Sequence, residues 1–181
     1  MRYKKDIQRY KEYSKSSALL LVLTQQGLWA LFVYRFFNAI YRSTMPKIVK
    51  APLLVIGVFF QKWIELITGI TLPYAATIGE GLYIGHYSGI IISPETVIGK
   101  QCNISQGVTI GVSGRGAHRG VPTIGNRVYM AAGAVIAGGI NVGDGAVIGA
   151  NSLVITDVKE GTTVMGVPAK MVSAKDSKDY I

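Results

Sequence analysis

From Leu72 onward, apolar side chains recur at every sixth position. The series runs Leu72, Ile78, Ile84, Ile90, restarts as Ile92, Ile98, Ile104, Ile110, and resumes as Ile124, Met130, Ile136, Val142, Ile148, Val154. A six-residue period is neither that of a helix nor the plain alternation of a strand. A fixed repeat has to be read before any local pattern. It predicts a coiled prism, mainly β. Short strands form flat faces, one apolar side chain per hexad points inward, and turns lie at the corners. Stacked coils then bury one continuous column. Gly follows the apolar residue at 79, 85, 99, 111, 125, 143 and 149. Its tolerance of unusual backbone conformations suits a corner.

The series slips twice. One step is two residues long, from Ile90 to Ile92, and one is fourteen, from Ile110 to Ile124. Within the longer step the in-phase positions are Gly116 and Pro122, and neither can plug a core. The segment 112–121, inside "GVSGRGAHRGVP", is therefore predicted to leave the coil as an extruded loop. Both histidines of the chain sit at these irregularities: His86 just before the first, His118 inside the second.

Before residue 71 the pattern is different. Two apolar helices are predicted in 17–70. One covers "LLLVLTQQGLWALFVYRFFNAIYR" (19–42) and one "KIVKAPLLVIGVFFQKWIELITG" (47–69). Pro46 separates them, because it cannot continue a helix and it restricts Met45. Helices this apolar need cover on most faces, from each other, a sister subunit or a membrane. The 19 uncharged residues from Ser16 to Tyr34 are long enough to span a bilayer. However, Thr24, Gln25, Gln26 and Gly27 interrupt them and Arg35 follows at once. Peripheral contact is expected rather than a crossing. The polar opening "MRYKKDIQRYKEYSKSS" carries no cleavable signal pattern.

Charge sharpens this division. The chain of 181 residues has a net charge of +9. Residues 1–70 hold 11 Lys and Arg against 3 Asp and Glu, while residues 71–181 hold 8 against 7. Nucleic acid is one partner for such a basic region. These charges lie among long apolar runs without a stacking-aromatic groove, so an anionic membrane or acidic partner is preferred and no nucleic acid is expected. A 49% hydrophobic content excludes disorder. The single cysteine, Cys102, excludes an internal disulfide and a cysteine-rich metal site.

The hexads, the mid-prism loop and the closing "GVPAK" (166–170) resemble the hexapeptide-repeat acyltransferases, and within them the serine acetyltransferase branch. "IGEGLYIGHYSGIIISPETVIG" (78–99) is similar to its histidine-bearing rung, "ISQGVTIGVSG" (104–114) to the rung entering its loop, and "GLWALFVYRFFNAIYR" (27–42) to the helix before its coil. The resemblance implies a left-handed parallel β-helix over 71–170, an N-terminal helical region over 1–70 and a C-terminal tail over 171–181. It implies a homotrimer with acetyl-CoA, the acyl donor, in the cleft between prisms, and no metal. His86 falls where the family keeps its general base. A neutral imidazole suits removal of an alcohol proton near neutral pH. Gly111, Ala132 and Ala150 match positions where backbone groups hold the cofactor, and Lys170 is placed to meet a phosphate. Arg115, His118 and Arg119 lie on the loop, toward an acceptor or CoA phosphates. A plain surface histidine and an ordinary solvated loop are the competing readings.

The departures concern the acceptor. The branch keeps an acid fifteen residues before the histidine, to orient the imidazole; here it is Thr71. It keeps Asp just before the histidine, for the serine ammonium; here it is Gly85. The loop reads Arg119-Gly120-Val121-Pro122 where the branch has Arg-His-Pro. The expected function is therefore transfer of acetyl from acetyl-CoA to a hydroxyl, a sugar hydroxyl in surface polysaccharide synthesis. L-Serine O-acetylation for cysteine synthesis, with cysteine synthase docking on Ile181, is the alternative. A non-catalytic β-helix scaffold is the second. The expected location is the cytoplasm, at the inner face of the membrane.

Overall fold

The structure, a computed structural model, describes residues 2–115 and 119–181. Four helices come first: α1 (Arg2–Glu12), α2 (Ala18–Thr24), α3 (Gln26–Arg42) and α4 (Lys47–Thr68). The strands β1 (Ile70–Thr71), β2 (Thr77–Ile78) and β3 (Tyr83–Ile84) make the first coil of a prism. β4 (Ile90–Ile92), β5 (Val97–Ile98) and β6 (Asn103–Ile104) make the second. β7 (Thr109–Gly111), β8 (Thr123–Ile124) and β9 (Tyr129–Met130) make the third. β10 (Val135–Ala137), β11 (Asn141–Val142) and β12 (Val147–Ile148) make the fourth. β13 (Leu153–Val154) and β14 (Thr163–Gly166) begin a fifth, and β15 (Ala169–Ser173) turns back on β14. The three faces are β1-β4-β7-β10-β13, β2-β5-β8-β11 and β3-β6-β9-β12-β14-β15. Every ladder is parallel except β14–β15. The prism begins one residue earlier than expected, at Ile70. Its last strand runs past Lys170 into the expected tail.

All fourteen hexad residues point inward, each at most 5% exposed. The first slip is a turn two residues longer than its counterparts: Ile84 pairs with Ile104 and Ile92 with Ile110, while Ile90 pairs with Ile70. Ile90 and Ile92 are both buried and Ile91 between them faces out, the ordinary alternation of a strand. The second slip is the loop, as Val97 pairs with Thr123 across it. A second buried column, not read from the period, stands two positions before the first: Ala76, Leu82, Thr96, Cys102, Val108, Val128, Ala134, Ile140, Ala146 and Ser152. Its mixed sizes and its two hydroxyl residues hide it from a hydropathy reading. Cys102 belongs to it; burial pushes its thiol up to about 12 and keeps it protonated and inert.

The hexad glycines have a different cause from the one expected. Gly79, Gly99 and Gly125 are not in the left-handed region. They stack at one corner: a Cβ on Gly79 would strike the carbonyl of Gly99, and one on Gly99 the carbonyl of Gly125. Close approach of successive coils excludes a side chain there. The left-handed positions lie elsewhere, at Gly81, Gly107, Gly133 and Gly145 among others.

The helical region also departs from expectation. The stretch 19–42 is two helices, bent by 91° at Gln25, so the uncharged run 16–34 is not one rod. The Ser17 hydroxyl caps α2 by accepting from Leu20 N. The polar opening is helix α1, with Asp6, Arg9 and Tyr10 buried. Tyr3, Asp6 and Tyr10 recur at helical spacing, the signal that could have revealed it.

α1 and α3 close the open end of the prism. β2 and β3 are edge strands whose backbone groups lack a further coil. Tyrosine hydroxyls replace it. Tyr10 Oη donates to Ile84 O at 3.1 Å and accepts from Ile84 N at 3.1 Å. Tyr34 Oη donates to Ala76 O at 2.9 Å and accepts from Ile78 N at 3.0 Å. Between them Arg35 grips Asp6 through Nε and Nη2, at 2.8 and 2.9 Å, and donates to the carbonyls of Ile78 and Gly79. Asp6 Oδ1 also accepts from Gly81 N at 2.8 Å and Leu82 N at 3.1 Å. Burial pushes the Asp6 carboxyl up, while Arg35 and these two amides draw it back.

Candidate active site

His86 lies in the turn between β3 and β4 and is exposed. The turn is held from behind: Ile84, two residues earlier, is the residue Tyr10 brackets. It is also strained. Ser88 has φ 88 and Gly89 φ 68, two consecutive left-handed residues. For Ser88 this costs about 1–3 kcal/mol, which the surrounding structure has to supply. Gly69 packs on it, since a Cβ there would stand 3.0 Å from Ser88 Cα. An imidazole on a short, fixed turn keeps its position while facing solvent.

Below His86 the corner repeats in every coil, with two residues fewer than the turn that carries the histidine. Gly107 N donates to Ser88 O at 3.0 Å, Gly133 N to Gln106 O at 2.9 Å and Asn151 N to Ala132 O at 2.9 Å. Ala132 and Ala150 therefore stand in register on the corner that carries His86. Their small side chains leave a backbone shelf running down the prism. At a spacing of about 4.8 Å per strand, the strand before Ala150 is about 14 Å from that before His86. β15, which carries Lys170, is about 24 Å away by the same measure, at the opposite edge of that face. Lys170 is exposed there.

Gly111 is at the next corner, at the end of β7, where Gly138 N donates to its carbonyl at 3.2 Å. A Cβ on Gly111 would meet only Thr109 Cγ2 within ordinary contact, at 3.9 Å, so the face beside it is open. The shelf, the open face and a distant lysine suit an extended thioester carrier with anionic groups at one end. Among the described residues no cluster of three His, Cys, Asp or Glu side chains forms a metal site.

The loop leaves from the Gly111 corner. Ser113 and Gly120 close its base as an antiparallel bridge, with bonds of 3.1 and 3.0 Å. Gly120 is needed for this seat, because a Cβ would come 2.7 Å from Gly139 Cα. Arg115 and Arg119 are exposed on either arm. His118 lies outside the described residues. Thr71 is not joined to His86 by a hydrogen bond. It lines a cavity of about 170 Å³ under α4, with Tyr34, Gln61, Ile64 and Leu72. Gly69 and Ser88, which shape the histidine turn together with Tyr10, carry no periodic signal and were not anticipated.

No protein-family model matches the chain. A serine acetyltransferase of Helicobacter pylori is 37% identical over 153 residues, covering 84% of this chain and 85% of that protein. Two solved structures overlay it closely. The serine acetyltransferase of Brucella abortus in complex with coenzyme A gives a TM-score of 0.83 at 28% identity, over 96% of this chain and 67% of that one. The soybean serine acetyltransferase complexed with serine gives 0.82 at 30%, over 94% and 68%. With that identity over most of both sequences, this chain belongs to the serine acetyltransferase family, left-handed β-helix O-acetyltransferases that draw their acetyl group from acetyl-CoA.

Proposed function

We propose that the chain acetylates the hydroxyl of L-serine, with His86 as general base. The observation that carries the acceptor is the 37% identity to a serine acetyltransferase over 85% of that protein. This similarity favours serine over the sugar hydroxyl that the residues around His86 suggest. Neutral His86 takes the hydroxyl proton as the oxygen attacks the thioester carbonyl. The tetrahedral intermediate collapses, the C–S bond breaks, and the imidazolium returns the proton to the leaving thiolate. Ala132 and Ala150 hold the donor through backbone groups along the shelf, and Gly111 does so from the next corner. Lys170 meets its phosphates. Arg115, His118 and Arg119 approach from the loop.

A second reading keeps the sugar hydroxyl. The observation favouring it is the sequence at positions 71 and 85: Thr71 supplies no carboxylate to orient the imidazole, and Gly85 none for an amino acid's ammonium. Release of thiol from acetyl-CoA separates the readings. Turnover with L-serine, giving O-acetylserine, supports the first. Turnover only with sugar or glycan acceptors supports the second. No turnover with any acceptor leaves the scaffold.

Two partners follow from the same reading. The shelf is open on its outer side, so a second prism has to close the cleft. Light scattering should give three times the mass of the chain, and a monomer at working concentration would reject this. Cysteine synthase would take Ile181 by lifting a docked tail. The Tyr180 ring stacks on Tyr129 at 4.8 Å, and its carbonyl accepts from Asn103 Nδ2 at 3.0 Å.

A further inference from the structure

α4 presents the wrong face to water. Its inner side touches the protein at several points: Gly57 sits against the Phe37 ring, and Gln61 Nε2 donates to Leu72 O at 2.6 Å. The side turned away from the protein should then be polar. Instead Ile48, Val55, Phe59 and Leu66 form it, spaced by seven, four and seven residues along one stripe. They are 85%, 70%, 61% and 80% exposed. Ile56, Trp63 and Ile67 widen the stripe and are also exposed. The exposed face of this 22-residue helix is thus largely apolar.

The charges on the same helix are Lys47, Lys50 and Lys62 against Glu65. They continue the excess of 11 basic over 3 acidic residues in 1–70. We propose that α4 lies in the interface of an anionic phospholipid membrane, with the Ile48–Val55–Phe59–Leu66 stripe among the acyl chains and its lysines at the headgroups. A second copy of α4 would bring like charges together. α4 lies in the surface rather than crossing the bilayer, because contacts with protein recur along its other side. Lys50 Nζ donates to Ser43 O at 2.9 Å near the start, and Phe60 stacks on Phe37 at 6.0 Å further along. At its end Gly69 passes directly into β1.

The test is co-sedimentation of the full chain with phosphatidylcholine vesicles, with and without phosphatidylglycerol. Binding should require the anionic lipid and weaken as salt is raised. Ile48→Ser, Val55→Ser, Phe59→Ser and Leu66→Ser together should weaken vesicle partitioning by about 100-fold or more, given the apolar area withdrawn. These positions are exposed, so circular dichroism should show an unchanged fold. Lys47→Glu with Lys62→Glu should remove the preference for anionic lipid while leaving the stripe intact. Equal binding to both vesicle types would overturn the electrostatic half of the proposal. Absence of vesicle binding, with a self-association that the four serines abolish, would assign the stripe to a second copy. Membrane-bound protein that resists carbonate but yields to detergent would assign a spanning helix.

Discussion

Replacing His86 by alanine should lower kcat by about 10²–10⁴-fold, the span typical of a lost general base. Acetyl-CoA affinity should barely move, because the residues placed to hold it act through backbone groups on lower coils. His118→Ala is the control. The expected role of His118 is with the acceptor, so the change should mainly raise KM for the hydroxyl substrate. Loss of turnover in His118→Ala with His86→Ala intact would transfer the base to the loop. Tyr10→Phe should report the support behind the turn. It frees both backbone groups of Ile84, and kcat should fall more than acetyl-CoA binding.

Breaking the Asp6–Arg35 pair should be the most damaging change to the fold. Arg35→Ala leaves a buried carboxylate with amide partners only, and strips Ile78 and Gly79 of a donor. Asp6→Ala leaves a buried guanidinium. Removing one partner of a buried pair costs about 3–5 kcal/mol. Urea unfolding should show that loss for each single variant. The double variant Asp6→Leu with Arg35→Met should recover only part of it, because the four backbone groups at the prism edge stay unpaired. Loss of under about 0.5 kcal/mol in either single variant, the scale of a solvated surface pair, would mean that the cap is not held by this network.

The prism was legible because its signal is redundant. Ile78, Ile98, Ile124 and Val142 need the same thing in successive coils, an apolar branched side chain pointing inward. Each coil repeats the geometry of the last. The loop was legible as a fault in that repeat. His86 was singled out by another route, the motif around it, since an exposed histidine has no period. The cap was not legible. Asp6, Tyr10, Tyr34 and Arg35 bond to backbone groups of residues 76–84, far along the chain, and polar residues that serve a strand edge follow no pattern. The bend at Gln25 was missed for a related reason: both helices beside it are apolar, and only the need to reach the prism edge turns the chain there.

The acceptor shows the same divide. Thr71 and Gly85 read from the sequence as lost carboxylates, which pointed to a sugar; similarity over the whole chain favours serine. Alone, the sequence carried the coil, its column of branched side chains, the site of the loop and the residue chemistry of an acyl transfer, because each depends on neighbours at fixed spacing. Folding settled which outer residues meet. It placed Ala132 and Ala150 on the His86 corner and Lys170 at the far edge. It turned Thr71 toward the α4 cavity and set the apolar stripe of α4 outward. Those outcomes depend on how coils stack and helices seat, distances that no local period encodes.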